Sequence, residues 1–182
     1  MMDSGIWRAA GLAALVAPAM VAAIVTAASA APKPGDALPA ARAATLDGRE
    51  LNTRSMSGKI VLIFYEDKDS AQHNMALKNE LGKVQKAPGW KPNVVVAAVA
   101  DVSGYDWWPA RGFVKDAIQA EQRKSGTPIY LDWSGDFGKA IKAKKGASNV
   151  VLVGADGKVQ IAHEGVVPQT VRDAIVAAVR KQ

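Results

Sequence analysis

The chain has 182 residues, about half of them apolar and 22% charged, with a formal net charge of +6 and no cysteine. This composition fits one compact domain with a single hydrophobic core and argues against disorder as the main state. The missing thiol excludes disulfides, a thiolate nucleophile and lipid attachment through a cysteine of this chain, while the basic balance points to an anionic partner or a solvated basic face.

The N-terminus reads as an export signal. Residues 9–30 carry no charge and are rich in Ala, Val, Leu and Ile, Arg8 is the basic residue before them, and Ala28-Ser29-Ala30 has the small-x-small form of a cleavage site. Roughly 20 apolar residues also suffice to span a bilayer, so an uncleaved anchor is the alternative, against which Pro18 and the high alanine content weigh. The expected organisation is a signal peptide over 1–30 and one domain over 31–182, in a periplasmic or secreted location.

Along the mature chain, Leu46-Asp47-Gly48-Arg49-Glu50-Leu51 carries a hairpin signal, with Asp-Gly between apolar ends. Residues 59–65 form a continuous β-branched and aromatic run, as in a strand buried on both faces. The spacing of Leu77, Leu81 and Val84 predicts a helix over about 70–86. A second buried strand follows over 93–100, then a loop over 101–109 and a helix over about 112–124. Residues 129–132 read as a short strand and 136–145 as a short basic helix. Two strands flank Ala155-Asp156-Gly157-Lys158, and a helix over about 168–180 closes the chain. Alternating strands and helices ending in a hairpin and a helix imply an α/β sandwich around a central mixed sheet.

Three stretches resemble the thioredoxin superfamily, in particular its exported redoxin branch with peroxiredoxin-like (AhpC/TSA-like) members. Gly58-Lys59-Ile60-Val61-Leu62-Ile63-Phe64 looks like the strand that leads into the active-site loop. The segment 146–153 stands where the family has G-V-P-T-T-F-L-I, and Ala155-Asp156-Gly157-Lys158-Val159 matches its closing hairpin. The resemblance implies a thioredoxin-like three-layer sandwich. Counted without gaps from Gly58-Lys59, the family's C-x-x-C falls on Ser70-Ala71-Gln72-His73, and the proline it holds in cis falls on Ser148. Without a thiol, disulfide exchange and peroxide reduction have no nucleophile. A redoxin fold lacking cysteines is similar to the YtfJ-like periplasmic proteins.

Ser70 and His73, at i and i+3, offer a nucleophile-base pair beside the amides of a helix start; no glycine elbow or orienting acid accompanies them. The other reading makes Asp69 or Ser70 the helix cap, with Gln72 completing a capping-box-like pair with Asp69. Glu66, Asp67 and Asp69 near His73 offer hard-cation ligands, or acids favoured by the helix dipole. His163 has no ligand spacing to His73, and no metal site is assigned. Tyr105, Trp107, Trp108, Arg111 and Phe113 form either a binding platform, since such residues dominate binding hot spots, or a cover over the core edge. Pro109 restricts Trp108 to extended conformations, which favours an exposed indole. Lys139, Lys142, Lys144 and Lys145 form the densest basic cluster. No phosphate loop, zinc-helix motif, G-x-S-x-G or nucleic-acid reader is present, so no cofactor and no nucleic-acid partner is expected. The sequence thus favours a redox-inert binding or accessory module of the envelope; the alternative is a non-thiol or metal-dependent enzyme using Ser70, His73 and the nearby carboxylates.

Overall fold

The apolar run after Lys59 becomes an interior strand of a seven-stranded mixed sheet. This computed structural model describes residues 31–90 and 93–181, so the expected signal peptide over 1–30 lies outside the described residues. The strands are β1 (Arg42–Ala44), β2 (Glu50–Asn52), β3 (Ile60–Glu66), β4 (Val94–Asp101), β5 (Ile129–Asp132), β6 (Asn149–Val153) and β7 (Val159–Glu164), in the order β2-β1-β5-β4-β3-β6-β7. β4 runs parallel to both β3 and β5, and β6 runs antiparallel to β3 and β7.

Every residue of β3 is buried, because its two sets of alternating side chains enter two different cores. Ile60, Leu62 and Phe64 pack with Leu77, Leu81 and Val84 of α1 (Met75–Lys86) and with Ile175 and Val179 of α4 (Gln169–Arg180). Val61, Ile63 and Tyr65 pack with Leu51, Val99, Phe137 and Ile141 on the opposite face. Phe137 belongs to α3 (Asp136–Ala140).

Both Asp-Gly turns close hairpins. Gly48 and Gly157 have φ of 84° and 76°, a region that L side chains rarely enter, and the turns join β1 to β2 and β6 to β7.

Two expected helices change their bounds. α1 begins at Met75 rather than Ser70, because residues 67–74 form successive turns, closed by Ala71 N–H to Asp67 O and His73 N–H to Ser70 O. α3 ends at Ala140 rather than Lys145. Lys142 is left-handed, with φ of 55°, and the backbone then turns toward β6 instead of continuing the helix. α2 (Ala110–Ser125) is longer than expected and buries none of its residues.

Candidate functional site

The parallel strands β3, β4 and β5 all end at one edge of the sheet, at Glu66, Asp101 and Asp132. β6 begins there, at Asn149, and β7 ends there, at Glu164. The connections carrying Ser70, the aromatic stretch, the lysine cluster and Ser148 therefore meet at the same end of the molecule.

Behind this end lies a closed polar network. Ser148, fully buried, donates its hydroxyl to Glu66 Oε1 at 2.6 Å and accepts from Asn74 Nδ2 at 2.8 Å. Glu66 Oε2 takes the Lys78 ammonium at 2.6 Å, and that ammonium also reaches the Ala71 carbonyl at 2.8 Å. Asn74 donates to the Gly165 carbonyl and accepts the Val167 amide, tying α1 to the segment that leads into α4. Each buried polar side chain here has its partners, as burial demands. Asn149 does similar work nearby: it accepts the Lys144 amide and donates to the Lys144 and Ala147 carbonyls, which fixes the connection before β6.

The side chains of Ser70 and His73 are placed apart in their surroundings. The hydroxyl of the fully buried Ser70 donates to Asp67 Oδ1 at 2.6 Å, whereas His73 is exposed; no hydrogen bond joins their side chains among the described residues. The three carboxylates also part company. Glu66 turns inward to Lys78 and Ser148, Asp67 to Ser70, and Asp69 stays exposed. Capping therefore passes from Asp69 to Asp67, whose carboxylate accepts the Ser70 amide at 2.9 Å. Asn74, at the cap position of α1 itself, makes no side-chain cap bond, its amide being engaged in the network.

Burial pushes the Asp67 carboxyl upward, but the Ser70 hydroxyl and the amides of Ser70, Asp69 and Gly146 pull harder, leaving it below its ordinary value of 3.8. A depressed carboxyl contributes stability that is complete above the unfolded-state value and is lost as pH falls through the folded value. Asp67→Ala should cost about 0.5–2 kcal/mol near neutral pH, and the gap to the parent should narrow on acidification below pH 4. Asp69→Ala should stay within about 0.5 kcal/mol of the parent. Urea unfolding at pH 7 and pH 3 measures both; a larger loss for Asp69→Ala than for Asp67→Ala would return the cap to Asp69.

The aromatic stretch lies at the same end. Trp107, Trp108 and Phe113 are 59%, 90% and 71% exposed, and Tyr105 is also exposed, so these rings do not cover the core edge. The Trp108–Pro109 peptide is cis. The Trp107 indole N–H donates to the Gly104 carbonyl. Arg111 donates to Asp106 at 2.6 Å and stacks over Trp133, 4.7 Å from the ring centroid. Sequence reasoning missed Trp133, which stands alone between polar residues and carries no platform signal. It also missed Asn74, Lys78 and Asn149.

On the opposite face, Tyr65 donates to the buried Asp132 at 3.0 Å, and Asp132 also accepts the Gly138 amide at 3.0 Å. Burial, then the carboxylates of Asp132 and Asp101, push the Tyr65 hydroxyl above its ordinary value.

The polypeptide path can be compared with solved structures. A protein assigned as thiol:disulfide interchange protein DsbE from Chlorobium tepidum superposes with a TM-score of 0.61 at 18% identity, over 81% of this chain and 99% of that one. The fold is thioredoxin-like. The pneumococcal exposed lipoprotein thioredoxin of Streptococcus pneumoniae gives a TM-score of 0.58 at 17% identity, over 79% of this chain and 99% of its own. A secreted Mycobacterium tuberculosis disulfide oxidoreductase gives 0.54 at 17%, over 78% and 96%. No protein-family model matches the sequence, and no curated protein does. The first of these neighbours is described as a thiol:disulfide interchange protein and the third as a disulfide oxidoreductase, and this thioredoxin-like chain has no cysteine.

Proposed function

We propose that this thioredoxin-like chain is a redox-inert binding or accessory module of the cell envelope that recognises its partner through the end of the fold where β3 terminates. One observation carries the reading. The large hydrophobic side chains exposed among the described residues are Met75, Tyr105, Trp107, Trp108, Phe113 and Val166, and every one follows the C-terminal end of β3, β4 or β7, at that single end. Apolar side chains gathered outside the core mark interaction surfaces. The side chains at positions 70 and 148 are meanwhile spent on internal hydrogen bonds, which counts against the enzyme alternative built on Ser70, His73 and the nearby acids. An envelope location draws support from the export features of residues 1–30 and from neighbours described as an exposed lipoprotein and a secreted protein.

Purified protein should leave insulin disulfides and hydrogen peroxide at the rates of a protein-free control. Crosslinking capture from native envelopes should weaken in a Trp107→Ala/Trp108→Ala variant by more than about 1 kcal/mol, at nearly unchanged melting temperature. Reproducible thiol-type turnover, or unaltered capture by the double variant, overturns the reading.

A further inference from the structure

We infer that the aromatic connection and the first turns of α2 dock on a second copy of this chain across a two-fold axis, with Trp107, Trp108 and Phe113 of one protomer packing on the same rings of its partner. The inference rests on the docking surface proposed above and names its partner.

Charge supplies the first argument. The chain as a whole carries +6, yet residues 101–125 hold four acids, from Asp101 to Glu121, and four bases, from Arg111 to Lys124. On the neighbouring connections and strand ends, Asp67, Asp69 and Asp132 match Lys68, Lys142 and Lys145 in number. The surface around the rings is therefore neutral, and a partner selected by charge of one sign gains nothing there. A two-fold interface sets a patch on its own copy. A charged patch would repel itself in that arrangement, whereas this one meets no such penalty. Lys115 and Asp116 are exposed beside Phe113 and make no side-chain ion pair among the described residues. A copy of the surface offers each of them the opposite charge, Lys115 to the partner's Asp116 and the reverse.

Area supplies the second. At their exposures, Tyr105, Trp107, Trp108 and Phe113 leave about 500 Å² of side-chain surface in water, taking roughly 200 Å² for each aromatic residue. Burying it on two copies removes about 1,000 Å², the size at which specific association begins. The exposed residues of α2, none of which is buried, add to that figure. The surface is also held in shape before it docks. The Trp107 indole is fixed on the Gly104 carbonyl, and Arg111 lies between Asp106 and Trp133. Little side-chain freedom is left to lose at those positions, which lowers the cost of association. Aromatic rings pack favourably on other aromatic rings, offset or edge to face, so a copy of the patch is chemically matched to it.

Sedimentation equilibrium of the full chain should show a monomer–dimer equilibrium with a Kd of about 1–100 μM, as suits an interface at the small end of its class. Trp107→Ala/Trp108→Ala should weaken it by about tenfold or more with an unchanged melting temperature. Lys115→Glu and Asp116→Lys should each weaken it about threefold, and an equimolar mixture of the two variants should recover the parent's association. The uncharged residues 9–30 add association of their own, so the place of contact is read separately. The chain has no cysteine, and a single introduced thiol therefore reports its own position. At Gly112 a β-carbon meets nothing within 4 Å. Gly112→Cys should be joined to its copy by a bis-maleimide about tenfold faster than Lys59→Cys, which stands at the opposite end of β3. A chain still monomeric at about 1 mM, a dimer indifferent to the tryptophan pair, or equal crosslinking at the two positions overturns the inference. So do charge variants that leave the dimer unchanged or that mixing does not rescue. Envelope crosslinks lost in the tryptophan variant, from a chain that is monomeric when pure, sink the second copy and leave the docking surface standing, whereas disulfide turnover sinks the redox-inert reading alone.

Discussion

Glu66→Ala should destabilise the folded chain by about 3 kcal/mol, the lower end of what breaking a buried ion pair costs. Lys78 would keep the Ala71 carbonyl and its position 5.4 Å from the Phe64 ring centroid, but its charge would lose the carboxylate at 2.6 Å. Ser148 would lose the acceptor of its hydroxyl. The lower end applies because the Lys78 side chain is 26% exposed and water relieves part of the loss. Removing the charged pair together with Ser148 has a different effect: Glu66→Leu/Lys78→Met/Ser148→Ala leaves no orphaned charge, only one Asn74 N–H without its acceptor, and should cost less than Glu66→Ala alone. Denaturant unfolding at pH 7 measures both variants. A Glu66→Ala change below about 0.5 kcal/mol would mean the pair contributes nothing, and a triple variant as unstable as the single one would mean that shape, not charge, sets the cost.

The second large effect is expected at Gly138. A β-carbon there would stand 2.6 Å from Tyr65 Cζ and 3.0 Å from Cε1. Tyr65 cannot retreat, since its ring stacks on Phe137 at 6.0 Å between centroids and its hydroxyl is fixed on Asp132. In an exposed helix, Gly→Ala stabilises by roughly 0.5–1 kcal/mol. Here Gly138→Ala should instead cost about 1–3 kcal/mol through overpacking, read as a lowered melting temperature. A stabilised variant would mean that the Tyr65 ring moves freely.

The strands and hairpins were legible because their signals are local. Ile60 to Phe64 can only be buried on both faces, and Asp47-Gly48 and Asp156-Gly157 supply the turns. Position 148 stands in the segment 146–153 that the resemblance singles out, and the structure buries its side chain in the network at the end of β3. The helix start was misread for a physical reason. Asp69 and Gln72 have the spacing of a capping pair, but α1 starts later because Asn74 is recruited by Ser148 and Val167, 74 and 93 positions away. No local pattern announces such partners. The Glu66–Lys78 pair likewise joins a strand end to the first turn of a helix, and only folding brings the two together. The basic run after Lys139 has helical composition, yet Lys142 leaves the helical region and Asn149 captures the backbone beyond it.

The absence of buried residues in α2 has a consequence for how the domain holds together. Its half-buried positions, Ala110, Val114, Ile118 and Gln122, form one stripe at i, i+4 spacing, its main neighbour is the short 3-10 turn Ser103–Tyr105, and it ends at the left-handed Gly126. Opening this helix exposes little apolar surface, so the free energy of that opening lies well below that of unfolding β3. Amide protons of α2 should therefore exchange through local opening while those of β3 wait for global unfolding, and the aromatic connection is attached to a helix that contributes no buried residue to either core.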